Sequence, residues 1–372
     1  MNGGHAFDPA ALHAQAAAAA PALLDAVRAC LEDLGAEALL VTTPANVRYL
    51  SGFSSPDDAT VVLTLDEAWL ITDARYTVQA AEESWLAQQV ITRETLERAA
   101  ALVGERTLAI EADHLTVSKR AALERHLGRA VVASEGLLRP LRMHKRPFEV
   151  AWLREAARIT DVAVTQVVES VLGPGVRELD VALELERVMR SEGADGVSFE
   201  IIVASGPRSA MPHGVASPRR IEAGDLVTID CGARIGGYHA DMTRAIGVGA
   251  VGEPLRGWFD HVLEAQRAGV AAVAPGAEAV AVDAAARDRL VTAGLGEAFA
   301  HSLGHGTGLE IHEGPSLSPK SSDTLAAGMV VTVEPGVYVA DTGGLRIEDL
   351  VLVTDDGAEV LSHTPKDYRE VG

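Results

Sequence analysis

The stretch "VTIDCGARIGGYHADMTRAI", residues 227–246, carries two aspartates in a segment that otherwise reads as β-structure. An apolar run ends at Asp230, a return run begins at Asp241, and Ile235-Gly236-Gly237 lies midway. Glycine adopts positive φ without a steric penalty, so the turn belongs at the glycines. A hairpin closing there sets Asp230 and Asp241 roughly opposite each other. Like charges facing across a strand pair are destabilising, and two buried carboxylates are worse unless they are protonated or neutralised. A cation between them removes the conflict.

The pattern recurs in "VVTVEPGVYVADTGGLRIEDLVLV", residues 330–353, with Glu334 on one strand, Glu348 on the next and a turn near Asp341-Thr342-Gly343-Gly344. Val331, Val333, Ile347 and Leu350 predict that both strands are buried. Between the two hairpins lies "HSLGHGTGLEIHE", residues 301–313, with three histidines. Gly304, Gly306 and Gly308 surround His305; they weaken any helix and let groups approach a crowded centre. The arrangement is not HExxH on a helix, so the usual zinc-protease geometry is not available. His305 instead adds one nitrogen to four carboxylates. Two divalent ions balance four negative charges, whereas one would leave about two buried charges uncompensated, at several kcal/mol each. Oxygen ligands with one imidazole suit Mn²⁺, Co²⁺, Fe²⁺ or Zn²⁺ rather than a thiolate-selected ion.

Composition bounds the rest. A chain of 372 residues, 48% hydrophobic and 23% charged, can bury one large core or two ordinary ones. A formal net charge of −21 argues against nucleic acid or an anionic membrane as partner. The two cysteines, Cys30 and Cys231, read as small buried apolar side chains, and no disulfide framework is implied. The Ala-rich N-terminal stretch has no Lys or Arg before Arg28, unlike a secretory signal, and no uninterrupted apolar run approaches ~18–20 residues. The expectation is a soluble cytoplasmic protein.

Helical and strand patterns alternate up to about residue 140, which predicts an α/β domain without a GxxxxGK[ST] phosphate loop. The basic, proline-containing "LRPLRMHKRPFE", residues 138–149, interrupts that pattern. We therefore expect domains over 1–140 and 141–372. The second opens with two long helices, 148–172 and 177–193. Strand-like segments with glycine turns follow, with helices over 256–273 and 278–294 among them. That order predicts an α+β domain with a largely antiparallel sheet.

The motifs "TIDCGARIGGYHADMTR", "HSLGHGTGLEIHEGP", "VVTVEPGVY" and "GLRIEDLVLV" resemble, in order, the metal-site motifs of the Xaa-Pro peptidases. That family comprises prolidase and aminopeptidase P, with the pita-bread fold shared with methionine aminopeptidase. The N-terminal part, including "PANVRYLSGF", resembles the creatinase-type domain that precedes the catalytic domain there. The resemblance implies Asp230, Asp241, His305, Glu334 and Glu348 as metal ligands; all five types are intact, unlike in creatinase, which has lost the metal site. Thr307 stands where the family more often has an aliphatic residue. The resemblance also implies a homodimer, short proline-containing peptides as substrates and two divalent ions, with Mn²⁺ or Co²⁺ ahead of Zn²⁺ as the working metals.

Paired metals share a water and lower its pKa, making it a nucleophile near neutral pH. Glu334 is the candidate for taking a proton from that water and passing it to the leaving nitrogen. By resemblance, His213 in "SAMPHGVAS" contacts the substrate and stabilises the intermediate, His312 donates to the substrate carbonyl oxygen, and His301 lines the pocket for the proline ring. Arg346, two residues before Glu348 and so on the same face of a strand, either orients the carboxylates or meets the substrate. Thr243 offers a supporting hydrogen bond two residues from Asp241. His239, also two residues from Asp241, can line the pocket; His5, His13, His114, His126, His144, His261 and His363 carry no assigned role. The expected activity is hydrolysis of the Xaa-Pro bond in dipeptides or at peptide N-termini. A methionine aminopeptidase-like enzyme and a non-catalytic protein-binding scaffold on the same fold are the alternatives.

Overall fold

Runs of Val, Leu and Ile without alternation are buried on both faces, and in the N-terminal part they form one six-stranded sheet. The computed structural model describes residues 7–372, in two units: one ends at Leu141, the other begins at Arg142. His5 lies outside the described residues. The strands of the first unit are β1 (Ala38–Val41), β2 (Ala59–Thr64), β3 (Ala68–Thr72), β4 (Gln88–Ile91), β5 (Leu108–Glu111) and β6 (Val132–Ser134). Their order is β4-β3-β2-β1-β5-β6; β2 is antiparallel to both neighbours and the other pairs are parallel. Helices α1 (Pro9–Leu34), α2 (Pro44–Ser51), α3 (Thr77–Glu83), α4 (Thr95–Val103) and α5 (Val117–Leu127) complete the unit.

Helix α1 begins at Pro9, where the Asp8 carboxylate caps the N–H groups of Ala10 and Ala11. The alanines that follow carry high helix propensity and extend it through Pro21. By length and mean hydropathy α1 would be able to cross a membrane, which no uninterrupted apolar run suggested. Its buried residues form one stripe, Leu12, Ala16, Ala20, Leu23, Val27 and Leu31, as on an amphipathic core helix.

The short helix α6 (Arg139–Met143) runs across the boundary, and the second unit continues with α7 (Pro147–Ser170), α8 (Glu178–Ser191), α9 (Leu255–Ala272) and α10 (Ala279–Thr292). The strands in chain order are β7 (Gly196–Val197), β8 (Ile202–Ser205), β9 (Leu226–Cys231), β10 (Ala233–Ile235), β11 (Tyr238–His239), β12 (Met242–Val248), β13 (Gly304–Gly306), β14 (Glu313–Leu317), β15 (Val330–Val333), β16 (Gly336–Val339), β17 (Gly343–Arg346), β18 (Asp349–Thr354), β19 (Gly357–Val360) and β20 (Glu370–Val371). Two larger sheets result, ordered β20-β12-β9-β8 and β14-β13-β15-β18-β19, with smaller β11-β10-β7 and β16-β17 ribbons. Apart from β12 with β20, every pair of described strands in this unit is antiparallel. Phe259 and Val262 of α9 and Val282 and Leu290 of α10 share a core with Val331, Val333, Val351 and Val353 of β15 and β18. The fold is an α/β N-terminal unit followed by an α+β unit with largely antiparallel sheets.

Candidate metal centre

Each of the two hairpins keeps one register through a gap in its ladder; Asp241, Glu334 and Glu348 sit in the gaps, and Asp230 lies on β9 at the edge of the first. In the first, Asp230 pairs with Thr243 and Cys231 with Met242; beyond the gap Ile235 pairs with Tyr238. The turn is Gly236 (φ 60) and Gly237 (φ 83), a two-residue loop with both φ positive. Continuing that register sets Asp241 across from Gly232. Asp230 and Asp241 are therefore diagonal neighbours on one face, two residues out of register, and not opposite each other as the sequence reading has it. A Cβ on Gly232 would lie 1.8 Å from the Ala240 carbonyl oxygen, so only glycine permits this crossing.

In the second hairpin Val333 pairs with Asp349 and Gly336 with Arg346, so Glu334 faces Glu348 directly. The Ile347 N–H donates to Pro335 O at 3.3 Å inside the gap. β13 runs beside β15, and the His305 N–H donates to Thr332 Oγ1 at 3.0 Å; that hydroxyl donates in turn to Glu334 Oε1, also at 3.0 Å. Cβ atoms on Gly304 and Gly306 would each meet a backbone oxygen at 2.0 Å, that of Thr332 and that of Gly314.

These elements bring all five expected ligands to one cavity of about 780 Å³. Potential donor atoms of Asp241, His305 and Glu348 lie within 4.8 Å of one another, and His305 Nε2 is 3.6 Å from Asp241 Oδ2 and 3.3 Å from Glu334 Oε1. His305 Nδ1 stands 3.0 Å from Gly306 O. That contact assigns the ring proton to Nδ1 and leaves the Nε2 lone pair facing the carboxylates. Burial holds the His305 pKa below its usual value, with Gly306 and Asp230 opposing the shift.

The carboxylates crowd one another. Burial, then Glu348, Asp230 and Glu334, push the Asp241 pKa well up; burial, then Glu334 and Asp230, do the same to Glu348. Glu334 is pushed up to about 7, mainly by burial. Arg346 supplies a buried positive charge among them. Burial works against it, but Tyr338 and the carboxylates of Asp230, Glu334 and Glu348 hold it protonated. Its guanidinium donates to Asp230 and to the Tyr338 hydroxyl, to Thr243 Oγ1 at 3.0 Å and to Pro212 O at 3.3 Å; Thr243 Oγ1 donates to Glu348 Oε2 at 2.7 Å. Among the described residues, Asp230 Oδ1 and Glu348 Oε1 are buried with no hydrogen-bond partner. Unsatisfied buried carboxylate oxygens beside a free imidazole lone pair fit hard or borderline divalent cations.

His213, His301 and His312 line the same cavity. The His312 ring packs edge-to-face on His305 with centroids 4.3 Å apart, and burial, then His305, lowers its pKa. His301 donates from Nδ1 to Ser302 O at 2.8 Å, stands edge-on to Phe299 and borders Tyr338. Burial, then Arg346, pushes its pKa down to about 4, so it is neutral at physiological pH. Thr307 is fully buried, and its hydroxyl donates to His239 O at 3.2 Å, so a polar residue is satisfied in the aliphatic position. His239 does not line the cavity; its ring Nδ1 and its backbone N both meet Gly308 O, at 3.0 and 2.9 Å. The sequence reading missed Tyr338, which caps Arg346, and the buried pairing of Glu313 with Lys145 and Arg142 behind His312. A tyrosine eight residues before Arg346 on the same hairpin was a usable signal for the first; the second joins segments over 160 residues apart and leaves no local pattern.

A model of metallopeptidase family M24 matches residues 151–355, and a model of the creatinase/prolidase N-terminal domain matches residues 24–144. The Xaa-Pro dipeptidase of Pyrococcus furiosus is 38% identical over 337 residues, covering 91% of this chain and 96% of that one. Among solved structures, an Xaa-Pro dipeptidase from Bacillus anthracis superposes with a TM-score of 0.91 at 40% identity, covering 95% of this chain and all of that one. An X-Pro aminopeptidase from Thermotoga maritima gives a TM-score of 0.84 at 34% identity, covering 91% of this chain and 99% of that one.

Proposed function

Because the chain belongs to metallopeptidase family M24 and is a metallo-exopeptidase, we propose that it hydrolyses the Xaa-Pro bond of dipeptides or peptide N-termini with two divalent ions held by Asp230, Asp241, His305, Glu334 and Glu348. The observation that carries the reading is the pair of gapped hairpins, which aim four carboxylates and one imidazole lone pair into a single cavity. Bound divalent ions supply Lewis acidity and an activated water there.

The chain's own groups do the rest. Arg346 already meets four protein partners, so of its two readings the orienting of carboxylates is favoured over contact with substrate. Glu334 accepts the water's proton and delivers it to the leaving prolyl nitrogen. His312 donates to the scissile carbonyl oxygen, and His213 at the facing loop steadies the charge that develops there. His301, neutral and flanked by Phe299 and Tyr338, forms a flat-walled pocket for a proline ring.

The test is hydrolysis of Xaa-Pro dipeptides, Xaa-Pro-Xaa tripeptides and Met-Ala peptides with Mn²⁺, Co²⁺ or Zn²⁺. We expect cleavage of proline substrates that stops with chelation, and the dipeptide to tripeptide ratio assigns peptide length. Met-Ala cleavage without proline cleavage, or no hydrolysis with any metal, contradicts the proposal.

A further inference from the structure

We propose that Glu178, remote in sequence from every metal ligand, is the positioning residue for His213. The inference rests on the proposed role of His213 at the substrate. Among the described residues the His213 side chain has no hydrogen-bond partner, so its place in the cavity is set by its backbone alone. That backbone is a loop running from Ser205 to Ser217, and Glu178 binds both of its ends.

Glu178 is the first residue of α8 and is fully buried. Its Oε1 accepts from Ser205 N at 2.9 Å and from Ser205 Oγ at 2.7 Å. Its Oε2 accepts from Ser217 N at 3.1 Å, from Ser217 Oγ at 2.6 Å and from the Arg208 guanidinium. One carboxylate thus ties together the two ends of an eleven-residue loop (206–216), and Arg208 spans its interior by also donating to Val215 O at 2.9 Å. The first turn of α8 adds backbone contacts to the far end only: Glu178 N donates to Arg219 O and Leu179 N to Ser217 O, each at 3.0 Å. The near end is also held by β8, where Ser205 pairs with Val227, and Ala216 N donates to Ile201 O at 3.4 Å at the base of the loop; the Glu178 side chain adds the direct tie from Ser205 to Ser217. The loop then reaches the carboxylate cluster, because Arg346 donates to Pro212 O and Gly344 N donates to Ser209 Oγ at 2.9 Å. A shift at the Glu178 clamp therefore moves His213 relative to the metal ligands.

Buried carboxylates satisfied by five donors hold a single geometry, and displacing a substrate-facing group by about 1 Å can lower a rate about 10²-fold. Glu178→Gln turns one acceptor into a donor and releases one end of the loop. Ser217→Ala removes the hydroxyl that donates to Glu178 and accepts from Arg219 N, keeps the carboxylate, and is the milder variant should Glu178→Gln fold poorly. We expect kcat on Xaa-Pro substrates to fall about 10–100-fold in Glu178→Gln and several-fold in Ser217→Ala, with metal content unchanged. In a His213→Ala background both should have less than about twofold further effect, because the loop then carries nothing to position. Equal losses in both backgrounds, a loss confined to KM, or lost metal would overturn the proposal. Amide hydrogen exchange separates it from the functional reading: residues 206–216 should exchange faster in both variants while 226–248 stay unchanged, whatever the substrate. Unchanged exchange in the loop refutes the clamp even if the enzyme is active; absent hydrolysis by the unaltered protein refutes only the reading of the site.

Discussion

Thr243 stands between two charged groups at the centre, accepting from Arg346 and donating to Glu348. Its single hydroxyl fixes which oxygen of Glu348 faces inward. Groups that orient a ligating carboxylate affect metal affinity or activity about 10–100-fold. Thr243→Val, which keeps the shape, should weaken Mn²⁺ or Co²⁺ binding by that amount, read by isothermal titration. The Glu334 pKa gives a pH dependence with a definite sign. In chelated protein its folded value, about 7, lies above the ordinary 4.5, so the folded state binds the extra proton. Its contribution is complete below about pH 4.5 and is lost as pH rises through about 7. Chelated protein should lose more thermal stability between about pH 5 and pH 8 than chelated Glu334→Gln does. At this scale the sequence was informative where chemistry is unusual: Asp230, Asp241, Glu334 and Glu348 stand out because carboxylates in apolar strands need a reason. Glu178 and Glu313 did not, because their partners are distant in the chain and their surroundings are ordinary helix and loop.

At the scale of elements, the hairpins do their work through unbroken register. Glu334 and Glu348 could be read as facing each other because the turn at residues 340–342 is short and the strands are strongly apolar. Asp230 and Asp241 came out two residues offset because the turn centres on Gly236-Gly237 and not one residue earlier; a one-residue change of centre moves a partner by two. The α2 helix was missed because "PANVRYLS" spans only two turns and starts at a proline, leaving too few apolar positions to reveal a period. The glycines around His305 are a matter of close packing. Gly306→Ala would drive a Cβ to 2.0 Å from the Gly314 oxygen, where backbone cannot yield cheaply. We expect at least about 1–3 kcal/mol of destabilisation by denaturant titration and a drop in metal affinity, since β13 carries His305.

Across the whole molecule, the division between an α/β domain and an antiparallel one was legible because the period of the hydrophobic pattern changes along the chain. What local patterns do not carry is the way the β9–β12 hairpin, β13 and the β15–β18 hairpin meet, and only the demand that buried charges be neutralised predicts that they converge. Convergence couples stability to metal. A folded chain that binds divalent ions and an unfolded one that does not differ in stability by an amount that grows with ion concentration. The central claim is that two ions, not one, hold the four carboxylates and His305 together. Measuring Mn²⁺ or Co²⁺ equivalents per chain by elemental analysis, after saturation and removal of free ion, tests it most directly. The account predicts two equivalents for the unaltered protein and fewer for Asp241→Asn; one or none in the unaltered protein, or two in both, would contradict it.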